Sequence, residues 1–257
     1  MTSTYEMLEF ATPELSIVIP AYNEANCIGS TLDSIAEYLT AQSVHAEVIV
    51  VDDGSTDDTG MIVDARQSDF VSLRLLRCER NGGKGRAVRL GMLVARGKVR
   101  LFMDADNSTE ISAIERLNES AARHATLPEV VIASIAAPGH MTSALVKRTV
   151  LPGINDTARG FKVFTAEAAD AIFSRCRLNG WGFDVEVLAI ARTLGFHILE
   201  VPVPSRHERG NRLGPGSYLT TLIEVARVRR SLRRTLRNSR VGGSGQDAYA
   251  RHRLGIG

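Results

Sequence analysis

Short runs of aliphatic and β-branched residues alternate along the first half of the chain with longer stretches whose apolar positions recur every three or four residues. Leu15–Ile19 (LSIVI) reads as a buried strand stopped by Pro20, and Ile28, Leu32, Ile35 and Leu39 then fall at helical spacing. Glu47–Val51 (EVIVV) predicts a second buried strand, ended by the turn signal Asp52–Ser55 (DDGS), with a helix beginning near Asp58. Leu73–Leu76 is a short strand. Gly83–Arg96 is helical, with Ala87, Leu90, Gly91 and Val94 on one side, and Val99–Met103 is a strand that runs into Asp104-Ala105-Asp106. A helix near Glu110–Ala122 and a strand over Glu129–Ser134 complete the series.

After Pro138 the pattern loosens. Phe161–Phe164 reads as a strand, Ala166–Phe173 as a short helix, Phe183–Leu194 as a helix and Ile198–Val203 as an extended segment among prolines. Ser217–Leu236 spaces Leu219, Leu222, Ile223, Ala226, Leu232 and Leu236 against a row of arginines. Strands alternating with helices predict an α/β fold, a mostly parallel sheet flanked by helices on both faces. In such sheets ligands bind beyond the carboxyl ends of the strands, where the acidic turns of this chain lie. No internal repeat interrupts the pattern.

Composition narrows the class. Hydrophobic residues make up 44% and charged residues 23% of 257, values that suit a soluble globular protein and exclude collagen-like, disordered and disulfide-scaffold chains. No run of about 18 apolar residues occurs, so no transmembrane helix is expected. The start, MTSTYEMLEF, lacks a basic then apolar leader, so no signal peptide is expected. Cys27, Cys78 and Cys176 are scattered and form no CxxC pair, which fits a reducing cytoplasm and no zinc site. The net charge of +2 hides an asymmetry: residues 205–257 carry twelve arginines against Glu208, Glu224 and Asp247, a net of +9, leaving −7 for the rest.

Four clusters of polar residues stand at predicted strand ends. In Asp104-Ala105-Asp106, extended residues i and i+2 point the same way, so two carboxylates can hold a divalent cation between protein oxygens and a phosphate. The absence of His and Cys nearby favours Mg²⁺ or Mn²⁺; a solvated loop of capping aspartates is the other reading. Asp52-Asp53-Gly54-Ser55 can accept from a base N–H or a ribose hydroxyl, or serve as a turn and helix cap. Asn81-Gly82-Gly83-Lys84-Gly85-Arg86 leads glycines into a helix N-terminus, a geometry suited to phosphate, though the Walker spacing is absent and a plain connector has the same composition. Ala21-Tyr22-Asn23-Glu24 follows the first strand with a ring and polar groups, or is simply another turn.

Taken in order, the segments SIVIPAYNEANCI, VIVVDDGSTDDT, NGGKGRAVRLGMLVARG and LFMDADNST resemble the family 2 glycosyltransferases, which have a GT-A fold. The likeness continues in DTARGFKVF (156–164) and WGFDVEVLAIA (181–191), which look most like the branch that makes dolichyl-phosphate glucose or mannose and related polyprenyl-phosphate sugars. It spans residues 14–213. The resemblance implies that Pro20, Tyr22 and Glu24 border the nucleotide and that Asp53 contacts the base. It further implies that Lys84 lies near the nucleotide or its phosphates, and that Asp104 and Asp106, with Ala105 between them, hold Mg²⁺ or Mn²⁺ and the diphosphate. Asp156, Asp184 and Glu186 would line the acceptor side as candidate catalytic groups, and Arg206, in a polar loop with His207, would close over donor or acceptor. The chemistry agrees with those residue types. A nucleotide-diphosphate sugar leaves as a diphosphate whose charge is stabilised by a divalent cation and cationic side chains, while the acceptor attacks from the opposite face and inverts the anomeric carbon. A hydroxyl acceptor needs a carboxylate base; a phosphate acceptor needs positioning, and Arg159 or Lys162 could neutralise it. Asp184 could instead cap its helix, and Asp156 could pair with Arg159.

Two features bear on the acceptor. No transmembrane segment follows the catalytic region, and residues 135–155 form a short segment with few apolar anchors, which favours a soluble small-molecule acceptor. The basic amphipathic helix at 217–237 favours a polyprenyl phosphate and peripheral membrane association. The soluble acceptor is the leading expectation. Homo-oligomerisation is compatible with the same helix docking on a partner. Nucleic-acid binding is not expected, because Tyr218 is the only aromatic there. A non-catalytic nucleotide-binding protein is the remaining alternative, against which Asp53, Asp104 and Asp106 argue. The expected organisation is an N-terminal extension (1–13), a catalytic domain (14–213) with a nucleotide-sugar half to 134 and an acceptor half from 135, the basic helix (214–238) and a disordered tail (239–257).

Overall fold

The aliphatic runs become the strands of one seven-stranded sheet. The computed structural model describes residues 12–134, 151–180 and 182–204. Its strands are β1 (Leu15–Ala21), β2 (Ala46–Asp52), β3 (Leu73–Arg77), β4 (Val99–Met103), β5 (Val130–Ser134), β6 (Phe161–Thr165) and β7 (Ile198–Pro202), in the spatial order β3-β2-β1-β4-β6-β5-β7. All neighbours run parallel except β6, which is antiparallel to both β4 and β5. The expected mostly parallel sheet is present. The expectations for Arg206, His207, the 217–237 helix, the tail and most of the 135–155 segment lie outside the described residues. Among those described, no helix is long and apolar enough to cross a membrane.

Strand alternation divides the core between the two faces. Ile17, Ile19, Val48, Val50, Leu101 and Met103 pack on one face against α1 (Ile28–Gln42), α2 (Thr59–Asp64) and α4 (Ala113–Ala122). Val18, Ile49, Val51, Phe102 and Phe164 pack on the other against α3 (Lys84–Val94), α5 (Ala166–Phe173) and α6 (Phe183–Thr193). The Phe102 ring lies 6.1 Å from Phe164 and 5.8 Å from Phe183, and Phe164 meets Phe173 edge-on at 5.2 Å. Aromatic pairs of this kind add about 0.5–1.5 kcal/mol each beyond area burial. Both faces are covered, which is why LSIVI and EVIVV are continuously apolar instead of alternating.

Several boundaries differ from expectation for local reasons. Pro20 does not stop β1, which runs to Ala21; its pairing with β4 has already ended at Val18, so beyond that point the missing N–H breaks no ladder on that side. The helix expected from Glu110 starts at Ala113, because Thr109 and Ile111 are buried in the turn that follows β4. The helix that starts at Lys84 ends at Val94 and not Arg96, since the Arg96 amide leaves the helix to bond Glu47. α5 begins where expected because the Thr165 hydroxyl caps it, accepting from the Ala168 amide at 3.2 Å. Such a cap contributes about 1 kcal/mol.

Candidate functional site

β1 and β4 are adjacent while the chain between them passes through β2 and β3, so the crevice at their carboxyl ends is the switch point of the sheet. Residues following β1 enter it first. Pro20 is buried, Tyr22 is 44% exposed and Glu24 is half-buried. The turn is tied to the segment after β2: Asn23 N donates to Ser55 Oγ, Asn23 Oδ1 accepts from Thr56 N, and Glu24 N donates to Thr59 Oγ1 at 2.8 Å. Asp57 completes the tie, accepting from Ala25 N and Thr59 N. Burial would raise its pKa, but these two bonds and a third from the Thr59 hydroxyl hold the carboxyl below the usual range.

Asp53, expected at the base, has its carboxylate engaged by protein groups. It is 2% exposed, and both of its oxygens are engaged. Oδ2 accepts from the Gly82 and Gly83 amides at 2.9 and 2.7 Å, while Oδ1 takes the Arg86 guanidinium. In the Gly-rich turn, readable as a phosphate cradle or as a connector, the Gly82 and Gly83 amides bond Asp53 and the Gly85 amide donates to the Asn179 carbonyl at 2.8 Å. Gly83 sits at φ 97°, a backbone state that favours glycine, and a Cβ there would fall 2.4 Å from that same carbonyl. The turn is locked, and what it offers the crevice is the side chain of Lys84, the first residue of α3.

Lys84 Nζ lies 2.6 Å from Asp104 Oδ1. Burial alone would lower the lysine pKa, but Asp104 above all, then Asp184 and Asp106, raise it, so the ammonium stays charged. The segment after β4 is a turn, not the extended pair expected. Asn107 N reaches back to the Asp104 carbonyl, Asn107 has φ 51°, and Ala105 is buried with its carbonyl accepting from Thr31 Oγ1 at 2.7 Å. Asp106 Oδ1 accepts from Ser108 N. Among the described residues the strong ligands here are carboxylates, a donor set that suits a hard divalent cation, and the Lys84 ammonium already stands against one of them. Among the described residues no group of three or more His, Cys, Asp and Glu comes together to hold a metal. Two carboxylates would need a diphosphate to complete the shell.

On the acceptor side the expected carboxylates separate. Asp184 is 3% exposed and receives Lys162 Nζ, which is fully buried and also donates to the Arg159 carbonyl at 2.6 Å. Burial pushes the Asp184 carboxyl up, and Lys162 and Lys84 counter it. Asp184 does not cap α6, and Lys162 is not available to an acceptor phosphate. Glu186 points elsewhere: it accepts from the Arg177 and Leu178 amides at 2.9 and 2.8 Å. Residues i and i+2 do not share a helix face, so Asp184 and Glu186 cannot act as a pair. Asp156 lies in a loop clamped by Glu200 of β7, which accepts from both the Asn155 and Asp156 amides at 2.8 Å. Arg159 is 9% exposed and donates to Thr109 Oγ1.

Residues 16–173 match the model of Glycosyl transferase family 2. The chain belongs to that family. It is 32% identical over 242 residues to a dolichyl-phosphate beta-glucosyltransferase of Dictyostelium discoideum, covering 84% of this chain and 73% of the relative. It is 34% identical over 229 residues to the mouse (Mus musculus) protein of the same name, covering 79% and 71%. In three dimensions it resembles glucosyl-3-phosphoglycerate synthase from Mycobacterium tuberculosis in complex with Mn²⁺, UDP-glucose and phosphoglyceric acid, at TM-score 0.67 and 22% identity over 89% of this chain and 85% of that one. The sheet and its flanking helices are thus the GT-A fold of a family 2 glycosyltransferase, and the protein is a glycosyltransferase.

In this family 2 enzyme the structure brings Asp184, read as an acceptor-side group, near Lys84, Asp104 and Asp106, read as nucleotide-side groups. The sequence pattern, by contrast, missed Glu200, whose place in ILEVP carries no distinguishing signal, and Asn179, which acts through its carbonyl and so leaves no trace in side-chain type. It also missed Gly160, which the motif DTARGFK contains but whose role only the β4–β6 pairing reveals.

Proposed function

We propose that the protein transfers a sugar, with inversion, from a nucleotide-diphosphate sugar to a polyprenyl phosphate. The observation that carries this reading is the likeness to dolichyl-phosphate beta-glucosyltransferases at 32–34% identity over about four-fifths of the chain. A second supports it: Asp184 is committed to Lys162 and Glu186 to two amides, so neither is a ready base for a hydroxyl, whereas a phosphate acceptor is already anionic. The soluble acceptor suggested by residues 135–155 has behind it a likeness of fold alone, at 22% identity, to an enzyme in complex with phosphoglyceric acid.

In this reading Pro20, Tyr22 and Glu24 border the nucleoside. Asp53 serves the donor by holding the turn that carries Lys84. Asp104 and Asp106 hold Mg²⁺ or Mn²⁺, which when bound neutralises the charge developing on the departing diphosphate. Lys84 supplies a second cation on the same side. Asp184, kept in place by Lys162, faces the acceptor side together with Asp156. The reading is tested by incubating the enzyme in detergent with a short polyprenyl phosphate and UDP-glucose, then other nucleotide sugars, with Mn²⁺, Mg²⁺ or EDTA. Metal-dependent sugar transfer to the lipid phosphate is expected. Transfer only to a soluble acceptor such as 3-phosphoglycerate would replace the lipid reading.

A further inference from the structure

We propose that in the donor-free enzyme Lys84 stands as the cation on Asp104 where a divalent metal would otherwise bind, and that the diphosphate draws it off, so metal and nucleotide enter as a linked pair. The inference rests on the metal-dependent reading above and adds an order and a cause to it.

The ammonium lies 2.6 Å from Asp104 Oδ1, with the two side chains only 17% and 31% exposed. Asp104, Asp184 and Asp106 all act on it electrostatically, and water screens little at that depth. A doubly charged cation on Asp104 would meet a fixed positive neighbour and would first have to break this pair. The neighbour cannot retreat as a whole. The Gly82 and Gly83 amides are bound to Asp53 and the Gly85 amide to Asn179, so the start of α3 is anchored and only the side chain of Lys84 can swing. A diphosphate resolves the conflict. Its oxygens give the ammonium a new anionic partner and give the metal the ligands that two carboxylates do not supply. Each ligand therefore raises the affinity of the other, and by linkage the two factors are equal.

The test follows free Mn²⁺ by electron paramagnetic resonance in wild type and Lys84→Met, with and without UDP. In wild type, Mn²⁺ alone should bind weakly and UDP should tighten it at least a hundredfold. In Lys84→Met, Mn²⁺ alone should bind at least tenfold tighter than in wild type, and the tightening by UDP should shrink at least tenfold. Lys84→Gln should behave the same way, which keeps the test valid if the Met variant fails to fold. Mn²⁺ binding no tighter in a folded neutral variant, or an unchanged response to UDP, overturns the proposal. Failure of the underlying reading looks different: wild type would then bind UDP equally well with Mn²⁺ and with EDTA.

Discussion

Gly160 and Asp104 share one contact that joins the two halves of the site. The Asp104 amide donates to the Gly160 carbonyl at 3.0 Å, extending the β4–β6 ladder by one step, and a Cβ on Gly160 would fall 2.1 Å from Asp104 Oδ2 and 2.2 Å from its Cγ. A side chain at residue 160 would therefore drive the Asp104 carboxylate from its place, while the backbone of the acidic turn after β4 and of the loop before β6 can stay paired. The glycine belongs to the segment that carries Asp156 and Arg159, the aspartate to the segment expected to hold the metal.

Gly160→Ala should then displace the Asp104 carboxylate while leaving the strands paired. Calorimetry with UDP and Mn²⁺ should find the affinity reduced by about tenfold or more, a decade corresponding to about 1.4 kcal/mol. The melting temperature should fall only slightly. Wild-type affinity in the alanine variant would mean that Asp104 is not held where the metal and diphosphate bind.

Asp53→Ala should act on the fold first and on the donor second. It removes a nearly buried carboxylate from two amides and from Arg86, whose side chain is 25% exposed. Breaking such a group costs about 2–4 kcal/mol, somewhat below the cost for a fully buried pair because Arg86 is partly solvated. Urea unfolding should register that loss, and UDP binding should weaken because the turn carrying Lys84 loosens. Full stability with impaired UDP binding would return Asp53 to direct contact with the base.

These two residues mark how far the sequence was legible. Periodicity located the strands and helices that matter, because buried parallel strands are continuously apolar and a helix face must repeat every 3.6 residues. It also located the acidic turns, since a parallel sheet puts its ligands at strand ends. It did not reveal where backbone amides go. The Gly82 and Gly83 amides can serve a phosphate or Asp53 with the same residues in the same order, and only the meeting of two loops decides. Asp184 and Glu186 take different partners for a simpler reason, that two residues apart on a helix lie on different faces. Glu200 and Asn179 were invisible because their roles arise from contacts more than twenty residues away in sequence.

At the far end of the sheet a different carboxylate sets acid stability. Glu47 has a fully buried side chain that accepts from Ser16 Oγ and the Arg96 amide and pairs with Arg74 at 2.9 Å. Burial alone would raise its pKa, but these bonds and the charges of Arg74 and Arg96 hold it below the ordinary value. A lowered folded pKa means stability that is present above the unfolded pKa, about 4.3, and lost as pH falls through the folded one. Glu47→Gln should cost about 2–3 kcal/mol at pH 7. The gap in urea midpoint between variant and wild type should be full at pH 7 and 5 and should begin to narrow once the pH falls below the unfolded value, by pH 3.5. A difference that stays constant with pH would mean that Glu47 contributes through shape and not through charge.

Lys162 and Asp184 can be separated into a structural and a chemical share. The pair is almost completely buried, with the ammonium 5.1 Å from the centre of the Phe102 ring. Lys162→Met alone leaves a buried carboxylate without its cation and should cost about 3–5 kcal/mol. Adding Asp184→Asn removes the stranded charge, and the double variant should recover to within about 1–2 kcal/mol of wild type, because a buried ion pair adds little net stability over neutral groups of similar shape. Turnover should not recover with it. If Asp184 faces the acceptor side as proposed, the stable double variant stays impaired in kcat, with the UDP affinity near wild type since Lys84, Asp104 and Asp106 are intact. Recovery of turnover together with stability would make the pair purely structural and would leave Asp156 as the acceptor-side carboxylate.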